Sequence, residues 1–362
     1  MQPHRVRRRL AVPVRRRPVL SMLSASMIVV SLAACSDDGS DATDTTSPAS
    51  TVETTVPLPI ATSPIGENDS AYPLDVVDCG GTTTYERAPE RVVALDEAAA
   101  ENLIQLGFRD AIVGIARYQT DEQLWPLTRD EVISRQILND GSTAPTFDDV
   151  QRVAPELVVA STPATLEAVA TRDEFAAAGI NTFVPRSGCA TDAAAGDDGL
   201  TLFYGDLASL GAAFDAQLHS QKIVAQVQAH VGQLAEELAR VDAQQHTVWV
   251  YGGADVVFDG TSPLDAMLRA VGLTVAGGGS SIDLDEVAAA DPDVVWLITP
   301  RGADPVAAAA ELQAQLEAEP ALAGVAAIEQ QMYVSTPADQ VAPTPRMTDG
   351  LNVLGDLLIE MS

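Results

Sequence analysis

The sequence predicts an α/β fold in which two lobes are joined by a long helical segment. Short apolar, β-branched runs alternate with helical patches in both halves of the chain, as in parallel sheets that are covered on both faces. Between these halves, residues 201–241 carry apolar side chains at helical spacing and no proline. A gapless internal repeat places one helix–strand unit in each half, which indicates two related lobes.

The first 35 residues predict a lipoprotein signal peptide. Residues 1–18 hold seven arginines and no acid, and an apolar stretch from Val19 to Leu32 follows. These about 14 residues are fewer than the roughly 20 that cross a bilayer as a helix. The stretch ends in Leu32-Ala33-Ala34-Cys35, which resembles the bacterial lipobox. We expect lipidation at Cys35; the alternative is an ordinary signal-peptidase site beside an incidental cysteine.

Residues 36–70 predict a disordered tether. They are rich in serine, threonine, aspartate and proline and show neither helical nor alternating periodicity. A flexible coil of this length reaches on the order of 30 Å, enough to hold a folded body clear of a membrane. The expected location is the outer face of the cytoplasmic membrane, after export.

The charge of the chain excludes nucleic acid as a partner. Fifty-one acidic residues stand against 21 basic ones, which gives a net charge of −30, and seven of the bases lie in the export signal. Such a surface repels phosphate backbones and offers no basic patch for counterion release.

The N-terminal α/β lobe is predicted over residues 71–200. Its strands are apolar on both faces, as buried parallel strands are. Gly107 and Gly179 follow the two helical patches, where helix C-termini favour glycine. The predicted strands cover residues 91–95, 111–116, 157–161 and 181–185, and the predicted helices cover 96–107 and 164–178.

A linker helix region over residues 201–243 and a C-terminal α/β lobe over residues 244–362 complete the predicted organisation. The linker is the longest helical pattern in the chain and predicts a helical connection between the lobes. In the second lobe, strands are predicted at 246–251, 273–276, 294–299 and 332–336, and helices near 263–271, near 304–319 and after Pro345.

The internal repeat aligns residues 146–159 with residues 283–296. Each copy has a short helix, a proline and an apolar strand. Each copy also begins with a capping-box arrangement, formed by Thr146 with Asp149 and by Asp283 with Glu286.

Several segments, taken in their order along the chain, resemble the iron-siderophore and cobalamin class of ABC-transporter substrate-binding proteins. They are Ala88–Leu95, Glu101–Gly107, Ala111–Gly114, Pro155–Val159 and Asp291–Val295. The resemblance covers residues 72–362 and implies a class III periplasmic-binding-protein fold: two Rossmann-like lobes, a rigid connecting helix and one ligand in the cleft. Asp78-Cys79-Gly80 with the later Ser187-Gly188-Cys189 also resembles a high-GC Gram-positive branch, some members of which are linked to a deazaflavin precursor.

The resemblance implies two permease-docking acids, each seven residues before the proline of the repeated unit. These positions hold Asp148 and Asp285. Two carboxylates far apart on a stiff body, each able to take a bidentate guanidinium, define an orientation as well as an affinity. The family's usual residue is glutamate, and the adjacent Asp149 and Glu286 are alternative docking acids. The other interpretation is that Asp148 and Asp285 only stabilise their helix N-termini.

Ligand-binding candidates follow from the rule that open α/β sheets bind ligands beyond the carboxyl ends of their strands. Asp96 and Glu97 follow the first strand. The remaining candidates are Arg117, Tyr118, Thr162, Arg186, Tyr251, Arg301 and Arg346. Four arginines among them suggest an anionic ligand held by planar guanidinium groups. The alternative is that each arginine pairs with one of the many acids, and that the tyrosines, including Tyr204, are packing residues.

Cys79 and Cys189 remain after lipidation of Cys35, and such a pair in an exported protein suggests a disulfide. Two separate buried thiols or a shared metal are the alternatives. No nucleophile elbow, phosphate-binding loop or zinc-protease motif occurs, and the few histidines lack ligand spacing. The sequence therefore predicts no catalytic residue, no bound cofactor and no metal site.

The function expected from these features is that of a monomeric substrate-binding lipoprotein. It would capture a ferric siderophore or cobalamin-like chelate between its lobes and deliver it to an ABC permease. One alternative is a receptor for haem or a deazaflavin-type anionic cofactor precursor. The other is an exported two-lobe enzyme, such as a tetrapyrrole chelatase, or a sensor without a transport role.

Overall fold

The structure is a computed structural model that describes residues 72–121, 123–189, 198–252, 262–277, 283–300 and 303–362. The predicted signal peptide, Cys35, the tether and Arg301 lie outside the described residues. No helix in the described ranges is long and apolar enough to cross a membrane.

The first lobe contains a four-stranded parallel sheet. Its strands are β3 (Val92–Ala94), β4 (Ile112–Ile115), β5 (Leu157–Val159) and β6 (Asn181–Phe183). They lie in the order β4-β3-β5-β6. The central strands, β3 and β5, are buried at every residue, because helices cover both faces of the sheet. The helices are α1 (Glu97–Gln105), α2 (Arg129–Ile133), α3 (Phe147–Arg152), α4 (Pro163–Glu167) and α5 (Arg172–Ala177).

One helix predicted over residues 164–178 is two helices, α4 and α5, in the structure. The helical pattern is interrupted before Thr171, which caps the second helix. The Thr171 hydroxyl accepts from the backbone N–H of Glu174, and the Glu174 carboxylate accepts from the N–H of Thr171. This capping box starts a new helix within a pattern that reads as continuous.

An antiparallel hairpin of β1 (Leu74–Asp78) and β2 (Gly81–Tyr85) precedes this sheet and was not predicted. It is joined to the lobe by a disulfide between Cys79 and Cys189 and by a hydrogen bond of 2.8 Å from the Cys79 N–H to the Val184 carbonyl.

Two packed helices, α6 (Gly199–Ala213) and α7 (Gln217–Arg240), occupy the predicted linker. The helical pattern over residues 201–241 is therefore broken once. Phe214 is fully buried and stacks on Phe108 with ring centroids 4.0 Å apart, and Asp215 takes a left-handed conformation with φ of 55°. Gly211 permits the close approach of the two helices, since a Cβ there would lie 2.1 Å from the Ser220 hydroxyl.

The second lobe contains a parallel sheet whose strands are β7 (Thr247–Gly252), β8 (Thr274–Ala276), β9 (Val294–Thr299) and β10 (Tyr333–Pro337). They lie in the order β8-β7-β9-β10. The helices are α8 (Pro263–Ala270), α9 (Leu284–Ala290), α10 (Pro305–Glu317), α11 (Ala326–Glu329) and α12 (Met347–Met361).

The two sheets have the same strand order when each is numbered from its own first strand: second, first, third, fourth. Helix α3 precedes the third strand of the first sheet and α9 precedes the third strand of the second, as the repeat predicts. Thr146 and Asp149 form the predicted capping box. Asp283 caps α9 differently, because its own carboxylate accepts from the N–H groups of both Asp285 and Glu286.

One apolar core continues from the first sheet through α6 and α7 into the second sheet. Leu103 of α1, Leu210 of α6, Leu234 of α7 and Leu351 of α12 belong to the same buried cluster. Continuous packing of this kind resists deformation. The α/β fold with two lobes is therefore confirmed, and its connection is a pair of packed helices.

Candidate ligand cleft between the lobes

The carboxyl ends of the strands carry the candidate residues of the first lobe. In a sheet of this order, the direction of winding reverses between the first and third strands, here β3 and β5, and ligands bind outside that point. Asp96 follows β3 and is buried. Its carboxylate accepts from the N–H of Ala99 at 2.8 Å and from the N–H of Ser161 at 2.9 Å. Asp96 therefore caps α1 and ties the ends of β3 and β5 together.

Glu97 fixes the loop that follows β4. Its Oε1 atom accepts from the backbone N–H groups of Tyr118 and Gln119, the latter at 2.7 Å. Burial raises the pKa of Glu97, although these two hydrogen bonds lower it. Glu97 is therefore a buried acid that positions a predicted ligand residue, Tyr118.

Arg346 joins the two lobes through a buried ion pair network. It lies at the start of α12, and its Nη1 atom donates to Glu101 of α1 at 3.1 Å and forms an ion pair with Asp339 at 2.8 Å. Its side chain is 4% exposed, and its guanidinium carbon lies 5.5 Å from the centre of the Trp125 ring. We name Glu101, Arg346 and Asp339 the inter-lobe bridge. Arg346 was predicted to bind ligand; its guanidinium is engaged by two carboxylates in the structure, and its contact with a ligand stays a prediction.

The inter-lobe bridge is extended by neighbouring contacts between the lobes. The Asn102 side-chain amide donates to the Pro343 carbonyl at 3.1 Å, and the Gln123 side-chain amide donates to the Ala303 carbonyl at 3.4 Å. Burial raises the pKa of Glu101 to about 7, even though the Arg346 guanidinium lowers it. One guanidinium therefore compensates the buried acids only in part.

An open groove of about 570 Å³ contains two of the predicted ligand residues, Arg117 and Tyr118. Arg117 pairs with Asp121 at 2.5 Å, and its backbone N–H donates to the Asn139 side chain at 2.8 Å. Tyr118 is half-buried, and burial together with the nearby carboxylates of Asp96 and Glu97 raises its pKa. The groove is lined by residues 117–121, 137 and 139–141.

Three other candidates do not line this groove. Thr162 caps α4, because its hydroxyl accepts from the Thr165 N–H at 3.2 Å. Arg186 donates its backbone N–H to the buried carboxylate of Asp206 at 2.7 Å. Tyr251 packs on Trp249 with ring centroids 5.3 Å apart.

The site also contains residues that the sequence analysis missed, chiefly Glu101, Asp339 and Gln119. The sequence carries an indication of one of them, Glu101, in its spacing from Glu97. Glu97 and Glu101 are four residues apart in a helix whose other members are mostly apolar or small, so both acids lie on one face. Within the described ranges, no group of three or more histidine, cysteine or acidic side chains is placed to hold a metal ion.

The predicted docking acids are both exposed, each as the second residue of its helix, Asp148 in α3 and Asp285 in α9. The neighbouring Asp149 is engaged, since its carboxylate accepts from Thr146 and from Arg152, the latter at 2.9 Å. Asp148 is therefore the more available of the two adjacent acids.

Comparison with known proteins places the chain in a family. A family model described as periplasmic binding protein matches residues 92–339. No matching sequence is found among curated proteins.

The fold is similar to several solved structures. A periplasmic binding protein from Veillonella parvula superposes with a TM-score of 0.66 at 19% identity, covering 78% of this chain and 96% of the other. The Fe3+-hydroxamate transport protein from Saccharomonospora viridis superposes with a TM-score of 0.59 at 21% identity, covering 79% of this chain and 99% of the other. The haem-binding protein RhuT from Roseiflexus superposes with a TM-score of 0.54 at 19% identity, covering 75% of this chain and 98% of the other. The family expected from the sequence is thus confirmed, and the chain is a member of the periplasmic binding protein family.

Proposed function

We propose that this protein is the substrate-binding lipoprotein of an ABC importer and captures a ferric siderophore or cobalamin-like chelate between its lobes. The observation that carries the proposal is the family match over residues 92–339, which spans both sheets. Similar folds include an Fe3+-hydroxamate transport protein and a siderophore-binding protein, BauB, bound to ferric acinetobactin. The chain would act by binding alone, held to the membrane through Cys35.

Trp125 offers a direct test of ligand binding. It is half-buried beside Arg346 of the inter-lobe bridge, whereas Trp249 and Trp296 are fully buried. We expect one class among ferric hydroxamates, ferric catecholates, ferric citrate, cobalamin, haem and deazaflavin precursors to quench the tryptophan fluorescence of the mature chain with submicromolar saturation. In the Trp125→Phe variant, most of the signal should disappear while calorimetry shows the same affinity. Absence of binding across the whole panel by a folded protein would contradict the proposal.

The two-point docking through Asp148 and Asp285 is tested separately by charge reversal. Replacing both by lysine is expected to reduce uptake of the bound chelate about tenfold or more while leaving its affinity unchanged, because a repelled permease arginine loses a bidentate contact. The measurement is uptake by cells that carry only the variant.

The matched control replaces Asp173 and Asp356 by lysine. Asp173 is exposed and is also the second residue of a capped helix, so its replacement has the same helix-dipole effect as that of Asp148. Asp356 is exposed on α12. Uptake equal to that of the control pair would refute docking through Asp148 and Asp285.

A further inference from the structure

The charges that the structure describes around the cleft favour a cationic ligand over an anionic one. Arg301 lies outside the described residues, and the two described arginines at the cleft are each engaged by an acid of this chain: Arg117 by Asp121, and Arg346 by Glu101 and Asp339. The arginines at these strand ends therefore neutralise the protein's own carboxylates.

A narrow void between the lobes, which we name the recess, is lined by hydrogen-bond acceptors. Its polar walls are Glu97, Glu101 and Gln119 from the first lobe and Asp339 from the second. Among the described residues, Arg346 forms ion pairs with two of these three acids, Glu101 and Asp339. Three carboxylates with one guanidinium leave negative charge uncompensated in a buried place, which is costly unless a proton or a cationic group joins them.

Two of these acceptors are unsatisfied within the described part of the chain. They are Glu97 Oε2 and Gln119 Oε1, and their residues are only 2% and 4% exposed. The void has no room for a water molecule in this arrangement of side chains, so solvent does not satisfy either atom. Both atoms require a donor.

Gln119 connects this void to the groove, since it lines both. A ligand whose chelate body lies in the groove beside Arg117 and Tyr118 therefore has an acceptor-lined recess at its edge. Movement of the Gln119 side chain, which lines both spaces, would open the recess to the groove without separating the lobes. An arriving ammonium group would donate to Glu97 Oε2 and to Gln119 Oε1, the two acceptors that lack a partner in the described part of the chain.

We propose that the ligand of this protein is a chelate that carries a protonated amine, and that this amine inserts between Glu97 and Gln119 in the recess between the lobes. The proposal rests on the proposed function and specifies its ligand class: a cationic chelate in place of the anionic one suggested by the arginine count. The three carboxylates provide the charge and the Gln119 carbonyl provides the remaining acceptor.

The test is a charge series on one chelate. Ferrioxamine B carries a free ammonium group, its N-acetyl derivative is neutral there, and its N-succinyl derivative is anionic. We expect ferrioxamine B to bind the mature chain about tenfold or more tightly than the N-acetyl derivative, with the N-succinyl derivative weaker still, as measured by calorimetry. Equal affinities, or the reverse order, would overturn the inference and leave the proposed function standing.

Variants at the recess assign the effect to these residues. Glu97→Gln keeps the Oε1 acceptor for the Tyr118 and Gln119 N–H groups and removes the charge, so the preference for the amine should fall by about tenfold. Gln119→Met removes the second acceptor and should lower the preference by a smaller factor. If Glu97→Gln does not fold, Gln119→Met carries the test. Glu131→Gln, which alters a carboxylate paired with Arg109 and Arg135 outside the recess, is the control.

The remaining outcomes separate the two proposals. Tight binding of ferric citrate, haem or another chelate without a cationic group, when the ferrioxamine series does not bind, would refute the inference and support the proposed function. No binding of any chelate would refute the proposed function, and the inference with it. A preference for the amine that persists in both recess variants would show that the ammonium group binds at a different site, and would also overturn the inference.

Discussion

Replacing Arg346 by methionine is expected to lower the free energy of unfolding by about 3 to 5 kcal/mol at pH 8. The guanidinium is buried and holds two carboxylates from opposite lobes, Glu101 at 3.1 Å and Asp339 at 2.8 Å. Methionine is similar in length and apolar, so packing against Trp125 is largely kept while both acids lose their cation. Urea unfolding followed by circular dichroism measures the loss.

The pH dependence of this loss distinguishes an electrostatic cause from a packing defect. Burial already raises the pKa of Glu101 to about 7 in the presence of Arg346, and it would rise further without that cation. At pH 5 the carboxylate left alone by the substitution takes up a proton, so the destabilisation should shrink. A loss that is the same at pH 5 and pH 8 would indicate a packing defect instead.

Removing the acids along with the arginine completes the experiment. Adding Glu101→Gln and Asp339→Asn to Arg346→Met should restore most of the stability, because no uncompensated charge is left behind. Arg152→Met is the control, since Arg152 forms an exposed pair with Asp149 and its side chain is 64% exposed. That control should leave the unfolding midpoint unchanged.

The fold could be predicted where burial dictates the residues. Strand β9 is buried at all six positions, and its run from Val294 to Thr299 is apolar up to its last residue, so the sequence identifies it without ambiguity. The hairpin of β1 and β2 was missed because β2 is mostly polar, with three threonines in a row at residues 82–84. The break between α6 and α7 was missed for another reason: it depends on Phe214 stacking on Phe108, a contact distant in sequence.

The candidate site could be predicted only in part, because its contacts depend on how the lobes meet. Glu101 and Arg346 are 245 residues apart, and nothing near either one indicates the other. Two candidates that were predicted from their position at a strand end, Arg117 and Tyr118, do line one groove in the structure. Of the four arginines behind the expectation of an anionic ligand, Arg117 and Arg346 pair with acids of the chain, as the alternative interpretation expects.

Removing the disulfide, by replacing Cys79 and Cys189 with serine, is expected to lower the free energy of unfolding by about 3 to 5 kcal/mol. The two cysteines are 110 residues apart, so the bond closes a long loop and restricts the unfolded chain strongly. Urea unfolding of the oxidised protein and of the double variant measures the difference.

The folded state should survive this change, because other contacts hold the hairpin in place. The Arg172 guanidinium donates to the Asp78 carboxylate at 2.8 Å, and the Asp78 carboxylate also accepts from the Val184 N–H at 2.9 Å. The circular dichroism spectrum and the ligand affinity should therefore match those of the parent protein, while the unfolding midpoint falls. A reducing agent should shift the parent to the midpoint of the variant and leave the variant unmoved. If the variant loses its native spectrum, the bond is needed to build the first lobe as well as to limit the unfolded chain.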